Sequence, residues 1–140
     1  MKGSKAFGQA VEQLFFARAM LRGLDVFVPL GDYLPQDCLV VNAADKYYRV
    51  QVKGTDKPRI RESTRRTTKE RWRVTAQCKS KEPLDCTKVD LLAAYVRPMD
   101  TWYLIPCLEV SSRCVWLYPN TEDSKAKYEK YKEDWDYFKR

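Results

Sequence analysis

Asp37, Gln51 and Lys53 are the residues whose types and spacing could do chemistry on a phosphodiester. Hydrolysis with a hard divalent cation needs oxygen ligands, an attacking water, and a positive charge where negative charge builds up. Asp37 offers a fixed carboxylate, and the backbone carbonyl of Val52 offers a second oxygen between the two members of the Gln-x-Lys triplet. Gln51 can give its amide oxygen, without charge, and Lys53 can orient or help deprotonate the water or stabilise a pentacovalent phosphate. An aspartate at a strand start and a lone Gln-x-Lys are each commonplace, so the weight falls on their combination. The rest of the composition narrows the chemistry. The 140 residues include no histidine, which excludes His-based nucleases and Ser-His or Cys-His hydrolases. Five cysteines (Cys38, Cys78, Cys86, Cys107 and Cys114) contain no C-x-x-C pair, and without histidine a structural zinc would need four thiolates. They read as reduced, mostly buried thiols of a cytosol-like compartment.

These residues must be held by the elements around them. Ala6 to Leu21 has apolar positions at three-four spacing (Phe7, Ala10, Val11, Leu14, Phe15, Ala17, Leu21) and reads as a helix, with Ser4 as N-cap and Gly23 as C-cap. Glu12 lies beside that apolar stripe, where it could point along the edge of the sheet the helix covers. Strands are expected at Asp25 to Pro29, Cys38 to Asn42 and Tyr47 to Lys53. In the last of these, Tyr48, Val50 and Val52 face one side, while Arg49, Gln51 and Lys53 face the other. The short connection Ala43 to Lys46 predicts an antiparallel hairpin, which brings Asp37 close to Gln51 and Lys53. Further strands are expected at Arg71 to Gln77, Val89 to Val96, Trp102 to Pro106 and Arg113 to Tyr118, with a tight turn at Pro98 to Asp100. Thr121 to Phe138 reads as a charged helix whose Tyr128, Tyr131, Trp135 and Phe138 form one docking face. Asp90 reads as structural.

The formal net charge of +7 favours a polyanionic partner. From Lys53 to Lys81 eleven Lys or Arg face three acids, a net of +8 that exceeds the charge of the whole chain. Within that block Lys57, Arg59, Arg61, Arg65, Arg66, Lys69, Arg71 and Arg73 are the candidate nucleic-acid contacts, and Gln77 and Lys79 could line the same groove. Gly54 to Lys69 reads as an exposed Arg- and Thr-rich loop with some extended structure. No apolar run approaches a membrane span and the N-terminus has no signal-peptide core, so a cytoplasmic protein without a membrane partner is expected. The length fits a single domain over residues 1–140.

The order of helix with Glu12, then Asp37, then Gln51-x-Lys53 on a following strand resembles the PD-(D/E)XK nuclease superfamily. Gly8, the Leu21-x-Gly23 turn and Val26 to Pro29 share in the resemblance, which covers the first 54 residues well and the Val89-Asp90 and Trp102 to Pro106 segments more loosely. It implies an α/β restriction-endonuclease-like core, a mixed sheet flanked by N- and C-terminal helices with the site on the hairpin. It also implies a Mg²⁺-dependent endodeoxyribonuclease, with Mn²⁺ as a substitute and no nucleotide cofactor. Asp37, Glu12, Gln51 and the Val52 carbonyl would hold the metal and Lys53 would be the catalytic lysine. Where the superfamily's usual third acid stands, this chain has Gln51, a variant associated with the intron homing endonuclease branch. The neutral ligand lowers the charge of the site by one and makes Glu12 the residue on which metal binding depends. The implied partner is double-stranded or branched DNA. Homing or restriction-type cleavage competes with junction-selective cleavage, and a DNA-binding relative without turnover or an RNA-binding protein are the readings from outside the enzyme class. Cutting both strands of a duplex needs two sites, which implies a homodimer or homotetramer.

Overall fold

The computed structural model of the protein describes residues 3–61, 69–77, 82–121 and 124–140. It opens with helix α1 (Gly3–Leu21), which buries Val11, Phe15, Phe16 and Ala19. Ser4 lies within the helix, not before it. Gly23 ends it as expected, at a φ of 81° that side chains resist. The Gly23 N–H donates to the Met20 carbonyl and the Leu24 N–H to the Ala19 carbonyl, closing the last turn.

A five-stranded sheet follows, built from β1 (Asp25–Phe27), β2 (Cys38–Val41), β3 (Tyr47–Thr55), β6 (Leu91–Val96) and β7 (Thr101–Pro106), in the order β1-β2-β3-β6-β7. The β3–β6 pair is parallel and the others antiparallel. A second sheet orders β4 (Arg59–Arg61), β5 (Lys69–Thr75) and β8 (Cys114–Leu117) as β4-β5-β8, all antiparallel. Two apolar layers join these parts. Val11 and Phe15 of α1 pack on Val50, Val52, Ala93 and Leu104 on one face of the large sheet. Leu92, Ala94, Val96 and Ile105 on its other face pack against Trp72, Val74, Val115 and Leu117 of the small sheet. The alternation of β3 and β6 assigns their residues to the two layers. Among the described residues no helix is long and apolar enough to cross a membrane.

Two expectations are corrected. Thr121 to Phe138 is not a helix: among its described residues only short 3-10 turns form, at Glu129–Tyr131 and Trp135–Lys139. The edge of β7 claims this backbone instead. The Glu133 N–H donates to the Trp102 carbonyl at 2.7 Å, and Glu133 Oε1 accepts from the Trp102 N–H at 2.9 Å. Glu133 takes a left-handed conformation (φ 51°), which a continuous helix forbids. The chain so covers an otherwise open strand edge. Its aromatics divide, Tyr128 and Tyr131 joining the small-sheet layer, Trp135 and Phe138 the helix layer.

The second correction concerns the cysteines. Cys86 and Cys107 form a disulfide, while Cys38 is a buried free thiol as expected, and Cys114 is free and half-buried. Cys78 lies outside the described residues. Pairing of Leu91 with Pro106 in the β6–β7 hairpin brings the residues before one strand beside those after the other, and the Cys107 N–H donates to the Asp90 carbonyl. That long-range proximity is invisible in the cysteine spacing.

Candidate active site

The hairpin expected from the sequence is present, and its register makes the site. Cys38 pairs with Val50, which sets Asp37 opposite Gln51. Pairing with β2 stops there, so β3 runs on from Val52 to Thr55 with no strand on that side. Asp37 fills the first position of the open edge. Its N–H donates to the Val50 carbonyl at 2.9 Å, and its Oδ2 accepts from the Val52 N–H at 2.7 Å. The carboxylate replaces a strand partner for Val52 and is fixed by doing so. Strand geometry turns the Val52 carbonyl to the same edge as its N–H.

Gln51 is 2% exposed, and its amide oxygen Oε1 is buried without a hydrogen-bond partner. A buried carbonyl oxygen without a donor costs about 1–3 kcal/mol, so its retention calls for an explanation such as an ion. Lys53 follows on the same strand face, half-buried. Glu12, half-buried on α1, approaches from the helix side. Gly54 eases this approach: a Cβ there would lie 3.0 Å from Val11 Cγ2 and 3.3 Å from Phe7 Cε2, so a side chain would press this turn of α1 a few tenths of an ångström away from β3. The charges of both acids reach the Cys38 thiol. Burial pushes its pKa up, and the charges of Asp37 and then Glu12 push it further. Cys38 therefore stays a protonated thiol and offers no soft ligand.

The donor set is two carboxylates, an orphaned amide oxygen and a main-chain carbonyl, all hard oxygen. That chemistry fits magnesium or manganese and not a thiolate-bound zinc. Among the described residues no three His, Cys, Asp or Glu side chains come together as a metal cage.

Behind the site, a brace that the sequence did not disclose holds the start of β2. Arg49 donates through Nε and Nη2 to the Asp90 carboxylate at 3.0 and 2.8 Å, and through Nη1 to the Thr87 carbonyl. Gln36 donates to the Lys88 carbonyl at 2.7 Å, tying the residue before Asp37 to the same loop. Asp90 is thus structural, as expected, and the Arg49 guanidinium holds its pKa below the usual carboxylate range. Nothing in the spacing of residues 41 apart signals this pair.

The basic block divides between the two sheets. Lys57 and Arg59 are exposed after β3, and Arg73 is exposed on β5. Arg71 is half-buried, with its guanidinium 3.7 Å from the centre of the Trp116 ring. Only the backbone of Arg61 and Lys69 is described, and Arg65, Arg66 and Lys79 lie outside the described residues. Gln77 forms an isolated bridge with Pro83.

A family model described as PD-(D/E)XK endonuclease matches residues 2–138. Among solved structures, the chain is similar to a bacterial homing endonuclease, I-Ssp6803I, with a TM-score of 0.69 and 22% identity over 98% of this chain and 91% of that one. No curated protein matches the chain. The N-terminal helix and mixed sheet are those of a restriction-endonuclease-like fold.

Proposed function

The chain belongs to the PD-(D/E)XK endonuclease family, and from that premise we propose that it is a metal-dependent endodeoxyribonuclease cutting double-stranded DNA at the open edge of β3. The observation that carries the reading is the buried, unpartnered Oε1 of Gln51 directly across the hairpin from the fixed carboxylate of Asp37. In this reading Asp37, Glu12, Gln51 Oε1 and the Val52 carbonyl hold one Mg²⁺ ion. A divalent ion bound there supplies Lewis-acid polarisation of the phosphodiester and a water of lowered pKa.

The residues have separate tasks. Asp37 is held by the Val52 N–H, so it keeps its position before substrate arrives. Glu12 brings the second negative charge. Gln51 would add an oxygen but no charge, so the residues of this site would hold a divalent ion with less negative charge than three carboxylates supply. Lys53 keeps its ammonium on the strand face of Gln51, where it orients the attacking water and offsets the charge that grows on the phosphate. Duplex cleavage needs two such sites, so the acting species is a homo-oligomer. Homing-type cleavage is favoured over junction cleavage by the Gln-x-Lys triplet and by the likeness to a bacterial homing endonuclease.

The test uses plasmid DNA with Mg²⁺ or Mn²⁺ and compares wild type with Lys53→Ala. Nicking or linearisation by wild type alone is expected. Equal background nicking by both proteins defeats the enzymatic reading.

A further inference from the structure

The end of β3 runs from the proposed catalytic centre into a cleft of about 370 Å³ lined by Thr55, Lys57, Pro58, Arg59, Arg73 and Thr75. We propose that this cleft is a second phosphate subsite, which grips the backbone of the nucleic acid within one or two nucleotides of the reacting bond. The inference rests on the nuclease reading and adds to it the place where the substrate strand is registered.

Charge is the first argument. The lining holds three cations and two threonines and no acid. Among the described residues no carboxylate forms an ion pair with Lys57, Arg59 or Arg73. Nearby, Glu70 accepts from Asn120, and Arg71 is engaged on the Trp116 ring, so neither competes for the cleft. The Arg59 and Arg73 guanidinium groups, the Lys57 side chain and the Thr75 hydroxyl are donors that phosphate oxygens take, while the Thr55 hydroxyl donates to the Lys57 carbonyl at 3.3 Å.

Position is the second. Thr55 lies two residues beyond Lys53 on the same face of β3, about 7 Å along the strand. A nucleic-acid strand advances roughly 3.4 Å per phosphate along the duplex axis. About two phosphate steps cover that distance, so a phosphate bound at Thr55 lies within two nucleotides, on the same strand, of one over Lys53. The size fits as well, since a single water takes about 30 Å³ and this space admits a sugar-phosphate unit.

Third, the lining spans the junction of the two sheets, with Thr55 at the end of the large sheet and Arg59, Arg73 and Thr75 on the small one. Thr55 to Arg59 belong to β3, β4 and the turn between them, and Arg73 and Thr75 to β5 of the small sheet, which packs on the face of the large sheet that bears Gln51 and Lys53. A phosphate seated between them bridges the two sheets. The cleft thus joins the basic block to the chemical site, and Arg73 and Thr75, two apart on β5, act as a pair.

The experiment measures duplex DNA binding by fluorescence anisotropy across a salt series, in Ca²⁺, with wild type, Arg73→Gln, Arg73→Lys and, as a control on the far surface, Lys139→Gln. One lost phosphate contact lowers the slope of log K against log salt by about 0.9. That loss is expected for Arg73→Gln, with the slope retained by Arg73→Lys and Lys139→Gln. An unchanged slope in Arg73→Gln overturns the subsite, even where plasmid cleavage proves the nuclease reading right. A lost slope in a protein that never cleaves keeps the subsite and rejects the nuclease reading. A competition arm, run without Ca²⁺, adds millimolar inorganic phosphate at constant ionic strength. Weakened duplex binding by wild type and no weakening in Arg73→Gln is expected, and an equal effect of the free anion on both proteins would overturn the subsite.

Discussion

Replacing Asp37 separates its structural role from its chemical one. Asp37 is 5% exposed, and its Oδ2 is the acceptor for the Val52 N–H at 2.7 Å. Asp37→Ala strands that donor at a buried edge, which costs about 1–3 kcal/mol. For a chain of this size each kcal/mol moves Tm by roughly 3–4 °C, so a fall of about 3–12 °C is expected. Asp37→Asn keeps an oxygen for the same N–H and removes a charge that, like that of Glu12, bears on the Cys38 thiol. Without metal its Tm should lie within about 3 °C of wild type, or above it. With metal the order changes. An ion at tenfold excess over its Kd stabilises wild type by about 1.4 kcal/mol, a rise of roughly 4–6 °C. Both variants lose that rise, because both lose the fixed anion. Thermal denaturation with and without MgCl₂ reads all four quantities. Equal metal-free Tm values for the two variants would refute the role of the Val52 contact, and a full Mg²⁺ shift in Asp37→Asn would refute the role of the charge.

Three further outcomes follow from the same geometry. Gln51→Glu supplies the missing third carboxylate, so half-maximal metal binding should move to at least tenfold lower Mg²⁺ in a calorimetric titration, a change of about 1.4 kcal/mol; no shift would separate Gln51 from the ion. Gly54→Ala forces a methyl to within 3.0 Å of Val11, so α1 must move, at a cost of about 1–3 kcal/mol in urea denaturation and with a higher Mg²⁺ requirement as Glu12 withdraws; wild-type behaviour in both would show that the helix does not depend on that contact. Arg49→Gln removes the guanidinium that depresses Asp90. Because the folded carboxyl titrates below its unfolded value, its contribution is complete above about pH 4 and is lost as pH falls through the folded value. The stability gap between wild type and Arg49→Gln should therefore be widest above that pH and close on acidification, and a gap that widened in acid would contradict the pairing.

The hairpin was legible in the sequence because its determinants are local. Alternation in Tyr47 to Lys53 and a short connection fix the register, and the register alone sets Asp37 across from Gln51. The nearness of Glu12 was harder to read. It depends on a close approach at Gly54, and a glycine directly after a Gln-x-Lys triplet has many other uses. The C-terminal segment misled for a physical reason: its aromatics have helical spacing, but the hydrogen-bonding demand of β7's edge decided its backbone at Glu133. The Arg49–Asp90 brace joins residues that only the parallel β3–β6 pairing brings together, and the Cys86–Cys107 disulfide joins residues that only the folded β6–β7 hairpin brings together. The basic block was visible as charge, yet its division into a two-walled cleft needed the small sheet.

The account stands on one cation held at the open edge of β3. Anomalous scattering from a crystal grown in Mn²⁺ measures that directly. A peak within about 2.5 Å of an Asp37 carboxylate oxygen and of Gln51 Oε1, with Glu12 in its shell, is the predicted result. A Mn²⁺ peak elsewhere, or Gln51 Oε1 turned to a protein donor with no density at the edge, would contradict it.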